Sequence, residues 1–333
     1  MPCHRSGGWI EDRSGGRERD DEGRSSHRIR RTAPAHGTLG ARSRTGRGPG
    51  ADVRRRDQPL DWKIADGLLK DATPHTFPLV LGSDGAGEVV AVGTGVRRFT
   101  VGDSVFGQFQ RPARGSGSYG EFAAAEEKAL AGAARTVTYA NSAAVPTAGT
   151  SAYNLVEETR ISEGKRVLIV GATGGVGTFA TQLAAGRGAE VIVTARPGTA
   201  DVMTTLGAAE TVDHTLGPVA DQVLAAHPDG VDVLLDLVSG PAAFGEMTRT
   251  VRDGGTAVST VGSADADVLT DHNLRGFNFQ NRPSPQLLEI LAGQLDAGRL
   301  TVIFGNEITL GEAPEALETS RAGHTQGKTV ITF

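Results

Sequence analysis

Residues 166–194 read RVLIVGATGGVGTFATQLAAGRGAEVIVT. Arg166 to Val170 is a short β-branched run of the kind that fills a buried parallel strand. A glycine turn follows, Gly171-Ala172-Thr173-Gly174-Gly175-Val176-Gly177, and then a helix-length stretch with Phe179, Ala180 and Leu183 on one face. Glu190 to Thr194 is a second strand. Strand, glycine turn, helix and strand in that order form the fingerprint of a dinucleotide-binding βαβ unit. Ala172 and Gly174 permit the tight turn and let backbone N–H groups reach a diphosphate. Gly177 lets the helix close on the strand, and the helix N-terminus faces the phosphate charge.

Cofactor choice is read at the end of the second strand. An NAD site places Asp or Glu there for the ribose 2′-hydroxyl, whereas this chain has Thr194-Ala195-Arg196. A guanidinium can bind a 2′-phosphate through charge-assisted hydrogen bonds, so NADP(H) is the expected cofactor.

The alternation continues downstream as expected of an open, doubly wound α/β sheet. Helices are expected near 201–206, 219–226 and 241–251, and strands near Val212, at 231–236 and at 256–261. Loops at the carboxyl ends of these strands place Ser239, Val261 and Gly262 beside the nicotinamide half. Ahead of this region, residues 77–130 form short runs split by glycine turns, a pattern that suits a small β-barrel. Helices near 285–297 and 312–321 and a strand at 328–333 close the chain.

These stretches resemble the medium-chain dehydrogenase/reductase superfamily, and within it the zinc-free quinone oxidoreductase (zeta-crystallin-like) branch. The resemblance rests on PLDWKIADGLLK, FPLVLGSDGAGEVVAVG, VRRFTVGDSVFG, GSYGEF, AAVPTAGTSAY, VLIVGATGGVGTFATQLA, GVDVLLDLVSG and GHTQGKTVITF, in family order through residues 59–333. It implies a GroES-like barrel domain made from both chain ends (57–146 and 283–333), an inserted Rossmann domain (147–282), and a cleft between them. It also implies a homodimer paired through the Rossmann sheets. Thr147 is expected near the nicotinamide by resemblance alone, and Lys328 ties the last strand to the barrel. Zinc-dependent relatives carry Gly-His-Glu where this chain reads Gly82-Ser83-Asp84, and its single cysteine is Cys3. No zinc set is expected, since His75, His214, His272 and His324 lack ligand spacing. Gln58 stands where the family has Asn.

The expected chemistry is hydride transfer to a quinone or α,β-unsaturated carbonyl, with positioning as the main source of acceleration. Tyr119 and Tyr153 are the two hydroxyls considered as proton donors, against packing roles for both. Trp62 is considered as an aromatic wall. An enoyl-thioester reductase and a non-catalytic NADPH-binding protein remain as alternatives.

The net charge of −5 conceals a division: residues 1–56 hold 14 Arg, no Lys and 7 acidic residues, leaving −12 for the rest. An acidic folded part argues against a nucleic-acid partner. No continuous apolar run spans a membrane and no apolar segment follows the N-terminal charges, so a cytoplasmic protein is expected. Residues 1–56 show no hydrophobic periodicity, and their few apolar groups cannot offset an ordering cost of roughly 1–2 kcal/mol per residue, so disorder is expected. The all-Arg composition also suits out-of-frame translation of a GC-rich gene. Shifting the codons of Arg54 to Gln58 by one base can spell A-G-(I/T)-N-P, the family's usual phrase at this point.

Overall fold

In the computed structural model, residues 59–303, 305–322 and 328–332 are described, together with the backbone course of 38–42 and 54–57. The first part holds strands β1 (Thr38–Arg42) and β2 (Arg54–Asp57), helix α1 (Pro59–Ala65), and strands β3 (Asp84–Val92), β4 (Ser104–Gln108), β5 (Phe122–Glu126) and β6 (Leu130–Gly132). Helices α2 (Tyr139–Ala143) and α3 (Pro146–Glu158) lead into alternating β7 (Arg166–Val170), α4 (Gly175–Ala185), β8 (Glu190–Thr194), α5 (Pro197–Thr205), β9 (Glu210–Val212) and α6 (Val219–Ala226). The alternation goes on through β10 (Val231–Asp236), α7 (Pro241–Thr248), β11 (Val251–Ser259), α8 (Ala266–Asp271) and β12 (Arg275–Asn278). Helix α9 (Pro285–Asp296), β13 (Asn306–Thr309), α10 (Ala313–Arg321) and β14 (Thr329–Thr332) complete it.

Strands β7 to β12 form one parallel sheet in the order β12-β11-β10-β7-β8-β9. Read from β9, this is the 3-2-1-4-5-6 order of a dinucleotide-binding fold, with the topological switch between β7 and β10. Val167 to Ile169 are wholly buried because helices cover both faces. Phe179, Ala180 and Leu183 of α4 pack on one face of the sheet, and Val219, Val223 and Phe244 on the other.

The second sheet has eight strands among the described residues, with β3 pairing to β1, β2 and β4. Strand β14 pairs with β2, so both ends of the chain meet in one barrel. Thr38–Arg42 and Arg54–Asp57, within the segment for which disorder is expected, take places in this ladder. Strand pairing joins backbone groups, which every non-proline residue carries, so hydrophobic periodicity does not report it. The disorder expected for the rest of 1–56 concerns residues outside those described.

Strand β11 begins at Val251 rather than near Thr256, and the preceding helix stops at Thr248. A register shift between Val231 and Val233 accommodates a turn there, with Gly254 at φ +70°. One apolar core runs from the barrel (Ala86, Phe106, Ala131) through α3 (Ala148, Leu155) to α4 and β7. Helix α9 adds Leu287, Leu288, Leu291 and Leu295 to it. Ser284 caps α9, its Oγ accepting from the Leu287 N–H at 3.2 Å, ahead of Pro285 in the first turn. Among the described residues no helix is long and apolar enough to cross a membrane.

At the other end of α9, Asp296 Oδ1 accepts from the N–H groups of Arg135 (2.6 Å) and Thr136 (2.9 Å) and from Thr136 Oγ1 (3.0 Å). The Thr136 N–H leads in holding this carboxyl below the ordinary carboxylate range. A lowered folded-state pKa stabilises above the unfolded value, and that contribution is lost as pH falls through the folded one. Asp296→Ala is therefore expected to lower the thermal midpoint at pH 7 and to converge on wild type as pH drops below the carboxylate range. A constant gap across that titration would refute the assignment.

Candidate active site

The glycine turn takes its shape from backbone contacts. Gly171 has φ +80°, a left-handed conformation that favours glycine. Gly177 is required for another reason: a Cβ there would stand 2.5 Å from both Cα and O of Ala172. Gly174 caps α4 with no side-chain partner, so the first N–H groups of the helix are open to an external acceptor. Small residues, open donors and the positive helix end fit a diphosphate. Thr194 acts from beneath: only 6% exposed, its Oγ1 accepts the Gly171 N–H at 2.9 Å. It holds the turn rather than lining the cleft.

A cleft of about 730 Å³ opens beside the turn. Thr173, Gly174, Thr178, Arg196 and His214 line one wall. The other wall comes from the C-terminal part of the chain and includes Asn306, Ile308, Glu312, Glu315 and Thr319. Arg196 is exposed at the start of α5. Next to it, the Asp213 carboxyl lies below its ordinary range, held first by the Thr215 hydroxyl and N–H, with His214 and Arg196 adding to the effect. His214, Glu312 and Glu315 were not legible as site residues in the sequence, since tertiary folding alone brings α10 to the glycine turn. Ala172 is buried under the turn. Ser239, Val261 and Gly262 follow the carboxyl ends of β10 and β11, beside the switch point and outside this cleft. Val238 and Val261 are exposed there, and Asp236 Oδ1 shapes the loop by accepting from the N–H groups of Val238 (3.1 Å) and Ser239 (2.8 Å).

A polar cluster joins the barrel to this sheet. Asp84 is fully buried, and its carboxylate accepts from Thr147 N (2.9 Å) and Thr147 Oγ1 (2.7 Å) at the start of α3. Gln108 Nε2 donates to the same hydroxyl at 3.0 Å. Asn281, in the loop after β12, donates to Thr147 O at 3.4 Å and to Thr150 Oγ1 at 2.9 Å. The Thr147 hydroxyl thus serves the junction. Lys328 joins it too: buried to 1% exposure, its ammonium donates to Ala144 O and stands 4.1 Å from the centre of the Phe179 ring. It therefore reaches the Rossmann helix α4 as well as tying down the last strand.

Neither tyrosine hydroxyl is idle. Tyr119 donates to Asp61 Oδ2 at 3.0 Å, and Asp61 Oδ1 accepts from Ser83 N (2.9 Å) and Oγ (2.7 Å). Tyr153, on α3, has the Arg187 guanidinium 5.8 Å from its ring centre; burial first, then the Glu157 charge, raises its hydroxyl above the ordinary phenol value. Trp62 lies near Lys63 and Arg321, 5.5 Å and 5.9 Å from its ring centre, which is a packing position between α1 and α10. Gln58 and His324 lie outside the described residues. Among the described residues no group of three or more His, Cys, Asp or Glu could hold a metal ion.

Residues 58–150 match the family described as alcohol dehydrogenase GroES-like domain, and residues 206–331 match zinc-binding dehydrogenase. The chain is 30% identical over 281 residues to the 2-methylene-furan-3-one reductase of Solanum lycopersicum, covering 82% of this chain and 68% of that protein. It is 28% identical over 285 residues to the mitochondrial NAD(P)H oxidoreductase RTN4IP1 of Danio rerio, covering 77% and 73%. Its fold superposes on the solved quinone oxidoreductase of Pseudomonas syringae with a TM-score of 0.77 at 26% identity, over 91% of this chain and 93% of that one.

Three substitutions test this geometry. Gly177→Ala forces a methyl into the Ala172 backbone and is expected to cost about 1–3 kcal/mol and to abolish nucleotide binding in a calorimeter. Gly293→Ala on α9, with no atom within 4 Å of the new Cβ, should leave binding intact. Asp84→Ala strands the Thr147 N–H and should lower unfolding stability by roughly 3 kcal/mol; an unchanged denaturation midpoint would show that the junction does not rest on this carboxylate.

Proposed function

Since the chain belongs to the medium-chain dehydrogenase/reductase superfamily, in its quinone oxidoreductase branch, we propose that it is an NADPH-dependent reductase of quinones or α,β-unsaturated carbonyls that works without zinc. Arg196 in the cleft beside the glycine turn is the observation that carries the cofactor assignment. Backbone N–H groups at the start of α4 would hold the diphosphate, and the Arg196 guanidinium the 2′-phosphate. When bound, the reduced nicotinamide supplies a hydride.

What the chain contributes is placement. The exposed valines 238 and 261, in the loops after β10 and β11, offer apolar surface at the carboxyl edge of the sheet, where water would be displaced. A conjugated acceptor already has a low-lying site for hydride, so holding the reactants together supplies much of the rate. Support for zinc-independent chemistry comes from what Ser83 and Asp84 do. Ser83 is bonded to Asp61 and both carboxylate oxygens of Asp84 are bonded to Thr147, in the stretch where zinc relatives place Gly-His-Glu. Water can protonate the reduced product, so neither tyrosine is required as an acid.

The decisive measurement is NADPH oxidation with a panel of quinones and enones, beside NADPH binding followed by fluorescence. Turnover is expected with at least one conjugated acceptor. Tight binding with no turnover across the panel would favour a non-catalytic NADPH-binding protein instead. Arg196→Glu should raise the KM for NADPH about 10- to 100-fold, the range for losing charge-assisted hydrogen bonds, while NADH use improves. Equal use of both cofactors before and after the change would remove Arg196 from the site.

A further inference from the structure

Side chains of opposite charge line the cleft from two parts of the chain. Arg196 is the guanidinium on the Rossmann wall, whereas Glu312 and Glu315 stand on the wall formed by the C-terminal segment. Glu312 Oε2 accepts from Thr309 N and Thr309 Oγ1, both at 2.7 Å, in a capping box ahead of α10. Those bonds, led by the Thr309 N–H, hold its carboxyl below the usual range, so it stays anionic at neutral pH. Glu315 lies in the first turn of α10, exposed, where a carboxylate also suits the helix dipole. Asp213, outside the lining of the cleft, is a further carboxylate in Coulombic reach of Arg196.

A phosphomonoester entering this cleft is attracted by one guanidinium and repelled by the carboxylates opposite. A ribose hydroxyl is affected in the reverse sense, since a carboxylate accepts its hydrogen bond. Resting on the dinucleotide reading above, we infer that selectivity between a 2′-phosphate and a 2′-hydroxyl is set across the cleft, with Glu315 of α10, backed by Glu312, opposing Arg196. Cofactor preference in this chain is then a property of both domains. The strand end that carries Arg196 supplies the attraction, and the C-terminal segment limits it.

Glu315 is the better test position, because Glu312 also holds the capping box. The readout is calorimetric binding of 2′,5′-ADP and of 5′-AMP to the full chain, two probes that differ in the 2′-phosphate and need no turnover. Across a solvated cleft one unit charge is worth on the order of five-fold in binding. Glu315→Gln should therefore raise the preference for 2′,5′-ADP over 5′-AMP about five-fold, and Glu315→Lys about twenty-fold. Both changes lie on an exposed helix face, so thermal midpoints should stay near wild type. Asp271→Asn, the same charge change on α8 at the opposite edge of the sheet, should leave the ratio unaltered.

A ratio within two-fold of wild type in both Glu315 variants, with both probes binding, would overturn the inference while leaving the nucleotide site standing. An equal shift in Asp271→Asn would overturn it too, by tracing the effect to net charge. If neither probe nor NADPH binds the unaltered chain, the dinucleotide reading falls and this inference falls with it.

Discussion

The carboxylate of Asp84 ties the barrel to the helix that leads into the Rossmann sheet. It is a buried charge, and removing such a group from water costs several kcal/mol unless its oxygens are matched. The first turn of α3 matches them, through the Thr147 N–H and hydroxyl. A barrel strand thus caps the helix that opens the Rossmann domain, and the helix dipole supplies further stabilisation. Strand β4 reinforces the arrangement through Gln108, and the loop after β12 through Asn281. The two sheets are held by directional bonds as well as by the apolar core they share.

That rigidity gives the glycine turn its value. A diphosphate site needs backbone donors held in place before the ligand arrives. The close approach of Gly177 to Ala172 fixes α4 against β7, and Thr194 fixes Gly171 from the neighbouring strand. Lys328, inserted from the last strand, contacts both Ala144 and Phe179. The end of the chain therefore helps to fix the helix whose start faces the cleft. A cation over an aromatic face, with a carbonyl accepting from it, contributes to holding the buried ammonium in place.

Much of this was legible in the sequence, for identifiable reasons. The β7–α4–β8 unit follows from β-branched runs around small residues, because strands buried on both faces leave a continuous apolar signature. Strands β1 and β2 left no such signature, since their pairing uses backbone groups. Strand β12 is exposed at Arg275, Gly276 and Asn278 and was missed because an edge strand need not alternate in hydrophobicity. The turn residues could be placed from spacing alone, yet Thr194 turned from a ligand contact into a support for the turn. A hydroxyl at a strand end can serve either purpose, and only the position of Gly171 decides between them.

The parallel sheet, the glycine turn and the cation at the end of β8 are legible in the chain's local sequence. Each of these is encoded within some thirty consecutive residues, where local sterics and strand burial dictate the outcome. Asp84 capping α3, Lys328 lying against Phe179, and Glu312 and Glu315 lining one cleft with Arg196 follow from tertiary packing alone. Those contacts join residues tens to hundreds of positions apart, and no local propensity specifies them. They exist because packing two sheets on one core brings distant side chains within hydrogen-bonding or Coulombic reach.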